Sequence, residues 1–223
     1  MPNSDFYNKS TETFIDKDGR KYTHEGLIEG IKNHTVFGVG AFGDNVNGDT
    51  STWMGCVNEM GKWYQSMGAK YSNVAYIGPC PLLGNMMVRP DCSGFVSACV
   101  SLFRGINRYE TFHTATMIQG QLGFQIIINA GFHHRRLSMG EDRLMADKTQ
   151  RWEILRCGDI VRHSTKGYGS MDSGHTYIIG PNQTRYEMGG LNNRTRPCQI
   201  PYNDYVDKKA ATGVHHSYDI FRL

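Results

Sequence analysis

At 223 residues and 25.2 kDa, the chain is long enough for one well-buried domain, or for one domain with an extension. Apolar residues make up 39% and charged residues 20%, with 12 Tyr and 10 Phe, which excludes a chain too polar to fold. The formal net charge of +3 favours an anionic partner without demanding one. No Lys/Arg run forms a nucleic-acid stripe, and no run of 18 apolar residues is present, so neither nucleic-acid binding nor a membrane span is expected.

The first fifty residues read as an N-terminal extension. The opening MPNSDFYNKSTETF has no basic stretch followed by an apolar one, so no secretory leader is expected and synthesis in a cytoplasm is. The six cysteines, Cys56, Cys80, Cys92, Cys99, Cys157 and Cys198, form no CxxC pair and point to reduced thiols without zinc or a redox dithiol. Phe14-Ile15 and Lys21-Tyr22 flank Asp16-Lys17-Asp18-Gly19, a turn signal that predicts a short hairpin. The same DKDG lacks the closing Glu of a calcium loop. Residues 38–50, rich in Gly, Asn and Asp, read as a loop.

From 53 to 68, Trp53, Val57, Met60, Trp63, Tyr64 and Met67 recur at helical intervals and predict a helix with one apolar face. Gly78-Pro79, Pro81 and Gly84 then interrupt regular structure. A second helix is predicted from Phe95, Val96, Cys99, Val100 and Phe103, ending at Gly105. Pro90 sits poorly deep in a helix, so Cys92 belongs at its first turn. Backbone N–H groups there stabilise a thiolate and can donate to an oxyanion. Cys99 lies on the apolar stripe and reads as core.

Farther on, Ile160-Val161 and Tyr177-Ile178-Ile179 are short β-rich runs. Pro181-Asn182-Gln183-Thr184 reverses the chain, so Arg185 to Met188 returns antiparallel beside the His175 strand. On a period of two, His175, Tyr177 and Ile179 share a face, with Arg185, Glu187 and Gly189 across from them. Tyr218 to Leu223 reads as a last strand that seals the sheet. The fold class expected is α+β, N-terminal helices packed on a small antiparallel sheet.

Three ordered segments carry a resemblance. Asp91-Cys92-Ser93-Gly94-Phe95-Val96, then Cys157-Gly158-Asp159-Ile160-Val161, then Ser173-Gly174-His175-Thr176-Tyr177-Ile178-Ile179-Gly180 together resemble the landmarks of the NlpC-type, papain-like cell-wall cysteine peptidases. Cys157 stands where that family has Pro. The resemblance covers residues from about 53 to 223, and implies a hydrolase domain over 51–223 with an insertion near 125–150, whose charged part from His134-Arg135-Arg136 to Asp147-Lys148 is expected to be solvated. It implies Cys92 as nucleophile and His175 as its base, with Gly174 leaving room for substrate. The third polar residue of the family lies on the returning strand, where register selects Glu187 as the group that orients the imidazole; an ordinary strand carboxylate is the other reading. Asp91 and Ser93 are supporting groups that tune the nucleophile or cap the helix. Tyr76, with Tyr71 behind it, stands for the upstream tyrosine that relatives use at the oxyanion site. Asp159 reads as a turn anchor, and the segment His113–Gln119 loosely resembles a threonine-bearing segment of relatives.

No cofactor or metal is implied: the neighbours in His133-His134 and His215-His216 point apart along an element. The activity implied is acyl transfer to Cys92 and hydrolysis of an amide, with peptidoglycan stem peptides as substrate. A phage lysin or tail-associated wall hydrolase suits a chain without a leader, with other virion proteins as further partners. Two other readings stay open: a virion structural or binding protein that keeps the papain-like fold, and a non-wall amidase or acyltransferase.

Overall fold

The computed structural model describes residues 50–72, 74–105, 109–147, 149–164, 174–188 and 216–223. It adds the backbone of the short strands at 7–8, 13–15, 21–23 and 198–201. Strands β1 (Tyr7–Asn8), β2 (Thr13–Ile15) and β3 (Lys21–Thr23) form a three-stranded antiparallel sheet. Phe14 pairs with Tyr22 and Ile15 with Lys21, so the expected hairpin is present, although its DKDG turn and the Gly/Asn-rich loop lie outside the described residues.

Helix α1 spans Trp53–Ser66, its N-terminus capped by the Thr52 hydroxyl, which accepts from the Gly55 N–H at 3.1 Å. Helix α2 spans Cys92–Phe103 and ends before Gly105, whose φ of +65° suits a residue without a side chain. The two helices pack through Tyr64 and Phe95, whose rings meet edge to face at 5.4 Å. Between them a small hairpin of β4 (Pro79–Cys80) and β5 (Met86–Met87) turns through Gly84 and Asn85, both at positive φ. A short 3-10 turn, Thr114–Thr116, and helix α3, Leu122–Asn129, follow.

The main sheet comprises β6 (His133–Arg136), β7 (Ile160–Ser164), β8 (His175–Ile179), β9 (Thr184–Glu187), β10 (Cys198–Pro201) and β11 (Ser217–Arg222). Its order is β10-β9-β8-β7-β11-β6, antiparallel throughout. The class is therefore α+β. The β8–β9 connection, residues 180–183, turns through Asn182 and Gln183, both at positive φ, with the Thr184 N–H donating to the Pro181 carbonyl at 3.2 Å. Period-two alternation buries both faces: Ile160, Ile178, Tyr186 and Phe221 join α1, α2 and α3 in one core. Val161, Tyr177, Ile179, Tyr218 and Ile220 meet Leu137, Met145, Ile154 and Leu155 in another.

Two expectations are corrected here. The C-terminal strand β11 does not close an edge but lies between β7 and β6. The charged stretch near 134–136 is not simply solvated: it is the edge strand β6, and His134 and Arg136 reach inward to Asp219, which is fully buried. The segment after it, with helices α4 (Met139–Leu144) and α5 (Arg151–Ile154), covers the second face of the sheet. Among the described residues no helix is long and apolar enough to cross a membrane.

Candidate functional site

The first turn of α2 is assembled by its own sequence. Asp91 is the N-cap: its Oδ1 accepts from the Gly94 N–H at 2.6 Å and from the Ser93 hydroxyl at 2.8 Å. Its Oδ2 accepts from Arg89 Nε at 3.0 Å and also from Arg89 Nη2. A side chain on Gly94 would press into the Arg89 carbonyl group. That oxygen is itself held by the Tyr64 hydroxyl at 2.8 Å. Asp91 and Ser93 thus fix the helix start, and Cys92 becomes its first residue.

The Cys92 sulfur, in a residue only 7% exposed, meets partners from three other positions. The imidazole of His175, at the start of β8, is hydrogen-bonded to it, the backbone N–H of Thr176 donates to it, and the Thr114 hydroxyl lies at 3.6 Å. Burial alone would push the thiol up, but the His175 hydrogen bond and charge, with Thr114 and the Thr176 N–H, hold it below the ordinary thiol value. His175 moves the opposite way. Burial pulls it down, yet the Cys92 hydrogen bond and then Glu187 raise it to about 9. The two shifts have one origin, each group favouring the charged form of the other.

Glu187, on β9, takes the other side of the ring. Its Oε2 lies 2.7 Å from His175 Nε2, which leaves Nδ1 for the sulfur. Register explains the meeting: Ile179 pairs with Arg185, so two residues on, Glu187 returns to the His175 end of the sheet on the same face. Arg185 in turn holds Glu187, with Nη2 donating to Oε1 and Nε beside Oε2, each at 3.1 Å. Its guanidinium lies 5.4 Å from the centre of the Tyr177 ring.

A thiol, an imidazole and a carboxylate meet at the tip of a helix. No protein-family model matches the sequence, and no curated protein or solved structure matches it either. The chemistry of the site therefore speaks through its own geometry. Such an array can attack an electrophilic carbon and deliver a proton to the group that leaves.

The remaining candidates take other places. Tyr76 is 56% exposed, whereas Tyr71 is the tyrosine that feels the site: burial, then the Cys92 and Asp91 charges, push its hydroxyl to about 12. Gly174 is needed by the sheet, because a side chain there would enter the His163 carbonyl of β7. Asp159 is a turn anchor, accepting from the Arg156 N–H at 2.8 Å and from Arg222 Nε at 2.7 Å and Nη2 at 2.6 Å. Cys99 is fully buried in the core, where burial raises its thiol well above the ordinary value. Cys80, Cys92 and Cys99 are free thiols.

Among the histidines, His134 bonds Asp219 at 2.8 Å. His163 meets His216 at 2.5 Å between Nε2 and Nδ1 and stacks on Tyr218. Among the described residues, no group of three or more His, Cys, Asp or Glu side chains is placed to hold a metal. Thr114 and Arg185 are the residues that sequence reasoning left without a role. No spacing rule marks Thr114, since it reaches the sulfur across 22 residues of chain. Arg185 could have been found by the same parity that selected Glu187.

Proposed function

We propose that this chain is a cysteine-nucleophile hydrolase of amide bonds with a papain-like domain of the NlpC type, acting on peptidoglycan stem peptides or a similar amide. The observation that carries the reading is the single array Cys92–His175–Glu187, with the thiol depressed and the imidazole raised by contact with each other. The three ordered segments around Cys92, Asp159 and His175 supply the choice of family. Substrate class and setting, a phage lysin or tail-associated wall hydrolase, rest on that resemblance.

In the proposed reaction the Cys92 thiolate attacks the amide carbonyl, forming a C–S bond and an oxyanion. Collapse of this intermediate breaks the C–N bond, and the His175 imidazolium gives its proton to the departing amine. Neutral His175 then takes a proton from water, whose oxygen attacks the thioester. The C–S bond breaks with its electron pair returning to sulfur, and the acid product leaves. Glu187 keeps the ring oriented and favours its charged form throughout.

The test is soluble-muropeptide release from purified peptidoglycan by the wild type and by Cys92→Ala. Release by the wild type alone is expected. Equal release by both, or by neither, refutes the wall-hydrolase reading, and in the latter case amino-acyl and lipid amides are the next substrates for the same pair of proteins.

A further inference from the structure

We propose that Thr114 is a further catalytic group of this site, its hydroxyl donating a hydrogen bond to the Cys92 thiolate. The proposal rests on the reading of Cys92 as a nucleophile. The Thr114 Oγ1 lies 3.6 Å from the Cys92 sulfur, in a residue 5% exposed. With a neutral thiol either atom could donate. Once the proton has passed to His175 the sulfur has none, and the hydroxyl is the donor.

The neighbouring threonine shows what an ordinary hydroxyl in this turn does. Thr116 Oγ1 donates to the His113 carbonyl at 2.9 Å and accepts from the His113 N–H at 3.2 Å, closing the turn on itself. Thr114 instead aims across the chain at the sulfur. Its backbone is pinned from the sheet: Arg162 Nε donates to the Thr114 carbonyl at 2.9 Å, and Arg162 Nη1 donates to Asp219 Oδ2 at 2.9 Å. Arg162 and Asp219 are both fully buried, and Asp219 also receives His134 at 2.8 Å and Arg136 at 2.7 and 2.9 Å. A buried ion network is costly to assemble, and this one reaches a carbonyl of the turn that carries Thr114. The β-branched side chain then has few rotamers open to it.

The hydroxyl transfers no proton. It steadies the charge on sulfur in the resting pair, and again when the C–S bond breaks and the electron pair returns to sulfur, a moment at which His175 is occupied with the attacking water. With the Thr176 N–H it gives the thiolate two donors that do not take part in the proton relay.

The experiment measures the iodoacetamide rate at the Cys92 peptide against pH for wild type, Thr114→Val and Thr114→Ser. Thr114→Val keeps the shape and removes the donor. It should react about fivefold more slowly than wild type below the free-thiol range, with the midpoint moved to higher pH, and Thr114→Ser should recover most of the rate. A Thr114→Val profile that superimposes on wild type overturns the proposal, and so does a Thr114→Ser profile as slow as that of Thr114→Val, which would assign the loss to packing. Protection of Cys99 in the same digests reports folding, and Thr114→Ala replaces Thr114→Val under the same criteria should the latter unfold. A wild-type Cys92 no faster than a free thiol is a different result: it removes the nucleophile itself, and Thr114 with it.

Discussion

Glu187→Gln isolates what the carboxylate does, because the amide keeps the shape and one acceptor oxygen while removing the charge. The bond lost is a charge-assisted one at 2.7 Å from His175 Nε2. Such bonds are roughly twice as strong as neutral ones, a difference of about 1–1.5 kcal/mol, which corresponds to about one pH unit. The direction follows from the coupling. Less support for the imidazolium means a weaker counter-charge for the thiolate, so Cys92 becomes harder to ionise and His175 easier to neutralise. Arg185 acts in the same sense: it is 2% exposed and faces Glu187 from two nitrogens, so its charge, no longer offset by Glu187, also opposes the imidazolium. The assay is peptide-resolved alkylation of Cys92 by iodoacetamide as a function of pH, with buried Cys99 as the folding control. The midpoint should rise by about one pH unit or more. A folded variant whose profile superimposes on wild type would show that Glu187 is an ordinary strand carboxylate.

Three further outcomes follow from the same geometry. Because His175 must be protonated to serve the leaving group and titrates at about 9, hydrolysis should fall as pH rises through that value; on the acid side it should persist below the usual thiol range until Cys92 is protonated, so a rate profile centred on an unperturbed thiol contradicts the pairing. Gly94→Ala should lower stability by about 1–3 kcal/mol in urea denaturation, since its methyl group must displace the Arg89 carbonyl that positions α2; an unchanged midpoint would mean that the loop yields freely. Arg222→Met should cost about 2–3 kcal/mol, at the low end for a buried pair because Arg222 is partly exposed while Asp159 is fully buried; a loss under about 0.5 kcal/mol would show that Asp159 is adequately held by the Arg156 N–H alone.

What the sequence made legible were local rules with short reach. Helix periodicity located Trp53–Ser66, and Pro90 with the following apolar stripe put Cys92 on the first residue of α2. Strand parity and the Pro181–Thr184 turn carried Glu187 to the His175 ring. What was not legible depended on long-range polar contacts. His133–Arg136 has no apolar alternation, and it is a strand because its inward His134 and Arg136 find Asp219 on β11. Tyr71 and Thr114 reach Cys92 through the path of loops that no period describes. Gly174, beside the site, is also required by the close approach of β7, which no local pattern shows.

The proposed chemistry requires Cys92 and His175 to form a thiolate–imidazolium pair. The most direct measurement is the iodoacetamide rate at Cys92 below the free-thiol range, at about pH 6, in wild type and in His175→Ala. Wild type should react several-fold faster than a free thiol, and His175→Ala should fall to or below the free-thiol rate. Equal rates in the two folded proteins would contradict the pair, and the proposed chemistry with it.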